Sequence, residues 1–204
     1  MKFEFIGNVC GIFHGDKGTR ILCDPWIENG IFEGSWCHYP PLKTKQKDLI
    51  DVDAIYISHL HQDHFDQRNF DFNLETPIFV LDRNPNYLIK ILQNAGFSNL
   101  ICIKNAQSIL FKEFEITLYA PFATHIFYDA AIGNLLDSAM VIKNGDKIAF
   151  NANDNTPTVE SCKILKQKFG HIDLAMINYN AAGPYPACFT NLSNLEIMEE
   201  REKI

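Results

Sequence analysis

Short apolar runs separated by turn residues fill the first part of the chain. KFEFIG, VCGIFHG and TRILCDPW follow one another, with a tight turn at Gly15-Asp16-Lys17-Gly18, and predict a meander of antiparallel strands. A loop rich in Gly, Pro and aromatics, from Pro25 to Pro41, leads to a polar segment and then to VDAIYIS, an unbroken apolar run ending at Ser58 that reads as a buried strand. TPIFVLD predicts another strand. NPNYLIKILQNAGF predicts a helix with Asn84 as cap, Pro85 in the first turn and Gly96 at its end. NLICIK and EFEITLYA continue the strands, and SAMVIKNGDKIAFNAND predicts a hairpin turning at Asn144-Gly145. Thr156-Pro157 opens a second helix that reaches Phe169 and stops at Gly170, and IDLAMINY is a further strand. Strands first, then strands mixed with helices, predict an α+β layered architecture, with a single domain over residues 1–204.

Composition narrows the class. Hydrophobic residues at 47% and charged residues at 21% give an ordinary globular balance, so the chain should fold. A formal net charge of -7, with no block of Lys and Arg, argues against nucleic acid as a partner. An anionic substrate would need a metal ion to supply positive charge. The six cysteines, Cys10, Cys23, Cys37, Cys102, Cys162 and Cys188, stand apart without a CxxC pair or a leader, which predicts reduced thiols in a cytoplasmic protein. No apolar run approaches the ~20 residues that span a bilayer, so no membrane insertion is expected. The expected partner is a small-molecule substrate, and the oligomeric state leaves no mark in the sequence.

The chemistry is concentrated in SHLHQDHFD, Ser58 to Asp66, where three of the seven histidines stand close together. His59 and His61, two apart at a strand end, can point the same way, while Asp63 and His64 start the next turn and approach from another side. That arrangement suits two metal ions. Imidazole and carboxylate are ligands for zinc and also suit iron or manganese, so the ligand types alone do not choose the metal. Two further ligand candidates lie at strand ends: His125 in LYAPFATHIF and Asp154 in AFNANDNTP. Their plainer readings are a loop histidine and a helix-capping carboxylate.

HLHQDH matches the HxHxDH signature of the metallo-β-lactamase fold. With CDPWI before it, a histidine later and an aspartate after a strand, the chain resembles that superfamily from about Phe3 to Pro186. The narrower likeness is to the branch that includes ascorbate-phosphate lactonase, N-acyl-phosphatidylethanolamine phospholipase D and the CMP-N-acetylneuraminate hydroxylases. LCDPWIENGIFEGSWCHYPP, ISHLHQDHFD, the pair DSAMVI and NAND, and NYNAAGPYP look most like the hydroxylase-type domain. The resemblance implies a four-layer αββα sandwich with metals at one edge of its two sheets. It also implies one ion held by His59, His61 and His125, a second held by Asp63 and His64, and Asp154 bridging them. Asp24 would lie under the site and orient ligands; its alternative is a strand-ending Asp before Pro25. Asp66 is open between accepting a ligand histidine's N–H and starting a helix. The family supplies another second-ion histidine beyond the strand matching IDLAMINY, yet no histidine follows His171, which precedes that strand and reads as structural. The chain therefore reads as a truncated or diverged member, lacking the C-terminal part.

Other residues divide between plain and functional readings. Cys37-His38 is read as part of the loop structure, since neighbours in sequence chelate one ion poorly. The Rieske pairing of Cys-x-His with Cys-x-x-His that accompanies the hydroxylases is absent. Trp26, Phe32, Trp36 and Tyr39 either wall a pocket or close the edge of the core. His14 is expected to be exposed. Asn178, Asn180 and Ala181 to Gly183 end a strand near the expected site and either form a turn or contact substrate. The function expected is a metal-dependent hydrolase with two divalent ions, zinc first and iron or manganese as alternatives. Between them the ions lower the pKa of water and give hydroxide near neutral pH, for attack on a carbonyl or phosphorus. Asp63 or Asp154 takes the proton. A lactone, a phosphodiester or a sugar-nucleotide derivative is the expected substrate. Two alternatives stand beside it: an iron-dependent hydroxylase-like protein acting on an amino sugar nucleotide, and a degenerate, non-catalytic binding domain.

Overall fold

In a computed structural model, which describes residues 1–122, 137–178 and 193–201, the apolar runs assemble into two sheets. The first has six strands in the order β1 (Lys2–Gly7), β2 (Cys10–His14), β3 (Arg20–Cys23), β4 (Ala54–Tyr56), β5 (Ile78–Leu81) and β6 (Leu100–Ile103). The opening meander pairs antiparallel, and β3 to β6 run parallel. The second sheet orders β11 (Leu174–Met176), β10 (Lys147–Asn151), β9 (Ala139–Asn144), β8 (Phe114–Tyr119) and β7 (Ser108–Phe111), antiparallel except for β10 with β11. Gly145, at a φ of 60, turns the β9–β10 hairpin where Asn144-Gly145 predicts it.

The layers follow from strand alternation, which sends successive side chains to opposite faces. In β4 and β5, Ala54, Tyr56, Phe79 and Leu81 enter the core between the sheets, where Phe114, Ile116, Met140 and Ile142 of the second sheet meet them. Their neighbours Ile55, Ile78 and Val80 face outward and are covered by Leu88 and Leu92 of helix α2 (Tyr87–Asn94), which follows the short helical turn α1 (Ile31–Gly34). On the far side, Val141 and Phe150 are covered by Leu165 of α3 (Val159–Phe169). This is the αββα sandwich, α+β in class, that the sequence leads one to expect. It also explains why VDAIYIS is apolar without alternation: a parallel strand covered on both faces needs apolar residues throughout. Phe79 is fully buried at the centre of the inter-sheet core. Phe79→Ala should cost about 3–5 kcal/mol, read as a lower urea midpoint.

Several boundaries differ from expectation. Helix α2 starts at Tyr87, capped by Asn86 and not by Asn84, because the Asn86 side chain accepts from Ile89 N at 3.3 Å while donating to Leu81 O at 3.0 Å. The second helix opens two residues later than Thr156-Pro157, since Thr158 supplies the cap to Ser161 N. Strand β7 and the helix α4 (Asn194–Arg201) were not expected from the sequence. β7 is a short edge strand, SILF, with Ile109 and Phe111 turned to the inter-sheet core and Leu110 exposed.

Pairing brings the chemistry to one edge. Cys23 lies opposite Tyr56 in the parallel β3–β4 pair, so the chain leaves both strands side by side at Asp24 and Ser58. In the second sheet Met140 lies opposite Asn151, which sets the start of β9 beside the end of β10, and hence Asp137 and Ser138 near Asn153 and Asp154.

Candidate metal centre

The loop after β4 is held from below and from the side. Phe65 is buried in the outer core, and the N–H groups of His64 and Phe65 both donate to His61 O, at 2.9 and 2.8 Å. Asp66 caps the 3-10 turn Gln67–Asn69 and accepts from Arg68 and Asn69, so it takes the helix-start role. Two bonds tie this loop to the aromatic one: Arg68 Nη1 donates to Gly30 O at 2.8 Å, and Gln62 Oε1 accepts from Phe32 N.

On this frame two clusters of ligand atoms converge, each within 4.8 Å: His59, His61 and Asp154 in one, Asp63, His64 and Asp154 in the other. His59 Nε2 is 2.7 Å from His61 Nδ1 and 4.0 Å from Asp154 Oδ2. His64 Nε2 lies 3.4 Å from the same Asp154 oxygen and 3.8 Å from Asp63 Oδ2. One Asp154 oxygen thus faces both clusters. His125, the third ligand expected for the first ion, lies outside the described residues. The donors fit divalent cations of the zinc or iron kind. The fully buried His64 Nε2 is turned towards the carboxylates of Asp154 and Asp63, the arrangement expected of a nitrogen that shares an ion with two acids.

Buried carboxylates stand behind the imidazoles. Asp24, fully buried and at a positive φ of 39, accepts from Ser58 N at 2.7 Å and lies 3.1 Å from His64 Nδ1. Burial alone would lower the His64 pKa, but Asp24 and Asp154 outweigh it and lift His64 well above its ordinary value. Burial, with the charges of His64 and His61, pushes His59 well below. Burial raises Asp154, yet the hydrogen bond and charge of His64 dominate and hold it at about 2. Asp137 was not expected from the sequence. It sits 3.1 Å from His59 Nδ1, and burial, with Asp154 nearby, pushes its carboxyl up to about 7 against the pull of His64 and the Ser138 amide. The signal available for it was the acid at the head of the strand in DSAMVI, the mirror of Asp154 at the end of the next strand.

A buried polar network underlies both sets. Tyr56 Oη donates to Ser138 O at 2.8 Å, Ser138 Oγ donates to Ser58 O at 3.0 Å, and Asn153 Nδ2 donates to Ser138 O at 3.1 Å. The first two bonds cross from one sheet to the other beside the histidine loop.

The remaining candidates fall on either side. His38 is structural: it is buried, stacks on Trp26 at 4.0 Å, bonds Asn8 through Nδ1, and donates its backbone N–H to Asn29 Oδ1. Cys37 is exposed. Trp26 closes the core and Tyr39 is exposed, while Trp36 and Phe32 pack edge to face at 5.2 Å in the loop that Gln62 and Arg68 hold. His14 pairs with Glu4 across the first hairpin. His171 is exposed, ahead of β11. Asn178 donates to Asp154 Oδ1 at 3.3 Å, at the margin of the site; Asn180 and Ala181 to Gly183 lie outside the described residues, as does Cys188. Among the described residues no helix is long and apolar enough to cross a membrane.

The fold and the two clusters define a metallo-β-lactamase-type architecture, and comparison with solved structures gives the same answer. A protein of Veillonella parvula described as a possible metal-dependent hydrolase superposes with a TM-score of 0.68 at 18% identity, over 82% of this chain and 67% of that one. CmlA, a diiron β-hydroxylase of Streptomyces venezuelae, superposes with a TM-score of 0.64 at 20% identity, over 85% of this chain and 33% of its own. The chain has the metallo-β-lactamase fold. In sequence it is 31% identical over 198 residues to a protein of Mycobacterium tuberculosis named as a proposed Rieske 2Fe-2S iron-sulfur protein, across 93% of this chain. A cytidine monophosphate-N-acetylneuraminic acid hydroxylase of Asterias rubens matches at 33% identity over 90 residues, 41% of this chain and 14% of its own. The chain spans 36% of the length of the Rieske-named relative. No family model matches it.

Proposed function

We propose that this chain forms a two-metal-ion centre that activates water for hydrolysis of a small molecule. The observation that carries the reading is the shared Asp154 oxygen, which faces both the His59 and the His64 cluster. His59, His61 and Asp154, with His125, would hold one ion; Asp63, His64 and Asp154 would hold the other. The ions, when bound, supply Lewis acidity and a more acidic water. The protein's part is to hold neutral imidazole at His59, to keep Asp154 ionised as a ligand, and to take up the proton. Asp154, held at about 2, is a poor proton acceptor, which leaves Asp63 for that role. Phe32 and Trp36 would form the apolar side of the substrate site, which suits a lactone, a phosphodiester or a sugar-nucleotide derivative.

A second reading is oxidative, with iron at the same ligands, a substrate of the amino sugar nucleotide kind, and electrons from a separate partner. It is favoured by the names of the sequence relatives and by the diiron neighbour. Elemental analysis of the untagged, chelator-free protein separates the two. Close to two zinc ions per chain is the expected result, iron would put the oxidative reading ahead, and absence of metal would leave a non-catalytic binding domain. His61→Ala should remove one of the two ions; unchanged metal content in that variant would sink the ligand assignment.

A further inference from the structure

We propose that Asp137 is a positioning residue for this centre: it accepts the Nδ1–H of His59 and so leaves His59 Nε2 as the nitrogen that faces the ion. This rests on the two-ion reading. Asp137 stands at the head of β9, in the opposite sheet from β4 and the loop that follows it, and its Oδ1 lies 3.1 Å from His59 Nδ1. The same Oδ1 accepts from Ser138 N at 2.6 Å, which fixes the carboxylate against the strand. The His59 side chain is 1% exposed and that of Asp137 9%, so solvent does not compete for the contact. Because Oδ1 accepts from Ser138 N, any proton on this carboxyl sits on Oδ2, and an unprotonated His59 Nδ1 would set a lone pair against Oδ1. With the proton on Nδ1, Nε2 is free to accept from His61 Nδ1 at 2.7 Å, on the side where Asp154 lies.

Ser58 cannot do this work alone. Its Oγ is 3.0 Å from His59 Nδ1 and 3.1 Å from His64 Nδ1, and a hydroxyl, able to donate to a ring nitrogen or accept from it, fixes neither ring's tautomer. Asp24 settles His64 on one side of that hydroxyl, and Asp137 settles His59 on the other. Each ligand cluster then has its own orienting carboxylate, one from each sheet. Outer partners of this sort contribute about 10–100-fold in metal affinity.

The test reads the tautomer directly. Long-range proton–nitrogen correlation spectra of the metal-free protein should show His59 protonated at Nδ1. Asp137→Ala should lose that preference and weaken zinc binding about 10–100-fold at one of the two ions in a chelator competition. Asp137→Asn should restore both, because the Ser138 N–H holds the amide oxygen towards His59; it also carries the test if the alanine variant does not fold. A wild-type His59 protonated at Nε2 overturns the proposal, as does equal loss in the Asn and Ala variants with the tautomer unchanged. A wild type that binds two ions as tightly as Asp137→Ala does overturns the positioning role alone. A wild type that takes up no zinc at all overturns the two-ion reading and the positioning role with it.

Discussion

Replacing Asp154 by alanine should empty both metal positions at once. The expectation follows from placement: one Asp154 oxygen lies 4.0 Å from His59 Nε2 and 3.4 Å from His64 Nε2, and Asp154 belongs to both ligand clusters. A carboxylate with two oxygens can serve two cations, whereas His61 belongs to one cluster only. Asp154→Ala should therefore weaken both ions by more than the ~10–100-fold that outer partners contribute, and His61→Ala should weaken one. The variant also removes the counter-charge that His64 feels, so the two buried histidines face each other with less compensation. Zinc titration with a colorimetric chelator, counting ions per chain in both variants, distinguishes the cases. Retention of one ion at wild-type affinity in Asp154→Ala would confine Asp154 to a single cluster and remove the bridge.

The histidine loop was legible because its meaning is local. An apolar strand that ends in alternating histidines declares its geometry within six residues, and Asp154 could be picked out as an acid just beyond a strand. Asp24 came from the resemblance, and the structure adds its bonds to Ser58 N and His64. Asp137 was out of reach for a physical reason. Its partner His59 lies in the other sheet, and the contact exists only because β4 and β9 pack face to face, as the Tyr56–Ser138 bond between residues 82 apart attests. Small misreadings have the same root. Two asparagines flank Pro85, and Asn86 becomes the cap because its amide also reaches Leu81 O, a tertiary contact. The loop from Pro25 to Pro41 shows aromatic residues without showing which turn inward; packing sends Trp26 into the core and leaves Trp36 beside the motif loop. His125, the ligand expected to complete the first ion, is read from the sequence alone.

Asp24→Ala should destabilise the metal-free protein by about 3–5 kcal/mol, because it strands a buried partner. Asp24 and His64 are both fully buried, 3.1 Å apart. Without Asp24 the Ser58 N–H also loses its acceptor, and a buried unpaired donor costs about 1–3 kcal/mol of that total. The pH dependence gives a sharper test than the size of the loss. His64 is raised well above its ordinary 6.5, so the pair's contribution is fully present below pH 6.5 and is lost as pH rises through the folded-state value. Metal-free wild type should therefore weaken as pH climbs above 6.5, and Asp24→Ala should show a shallower slope, since its main charge partner is gone. Metal binding runs the other way. A cation must displace the His64 proton, so affinity at that ligand should rise with pH over the same range, more steeply in wild type than in the variant. Urea midpoints across pH, and zinc competition across pH, measure the two slopes. Parallel curves for wild type and Asp24→Ala in both experiments would mean that Asp24 fills space under the site without governing the charge of His64.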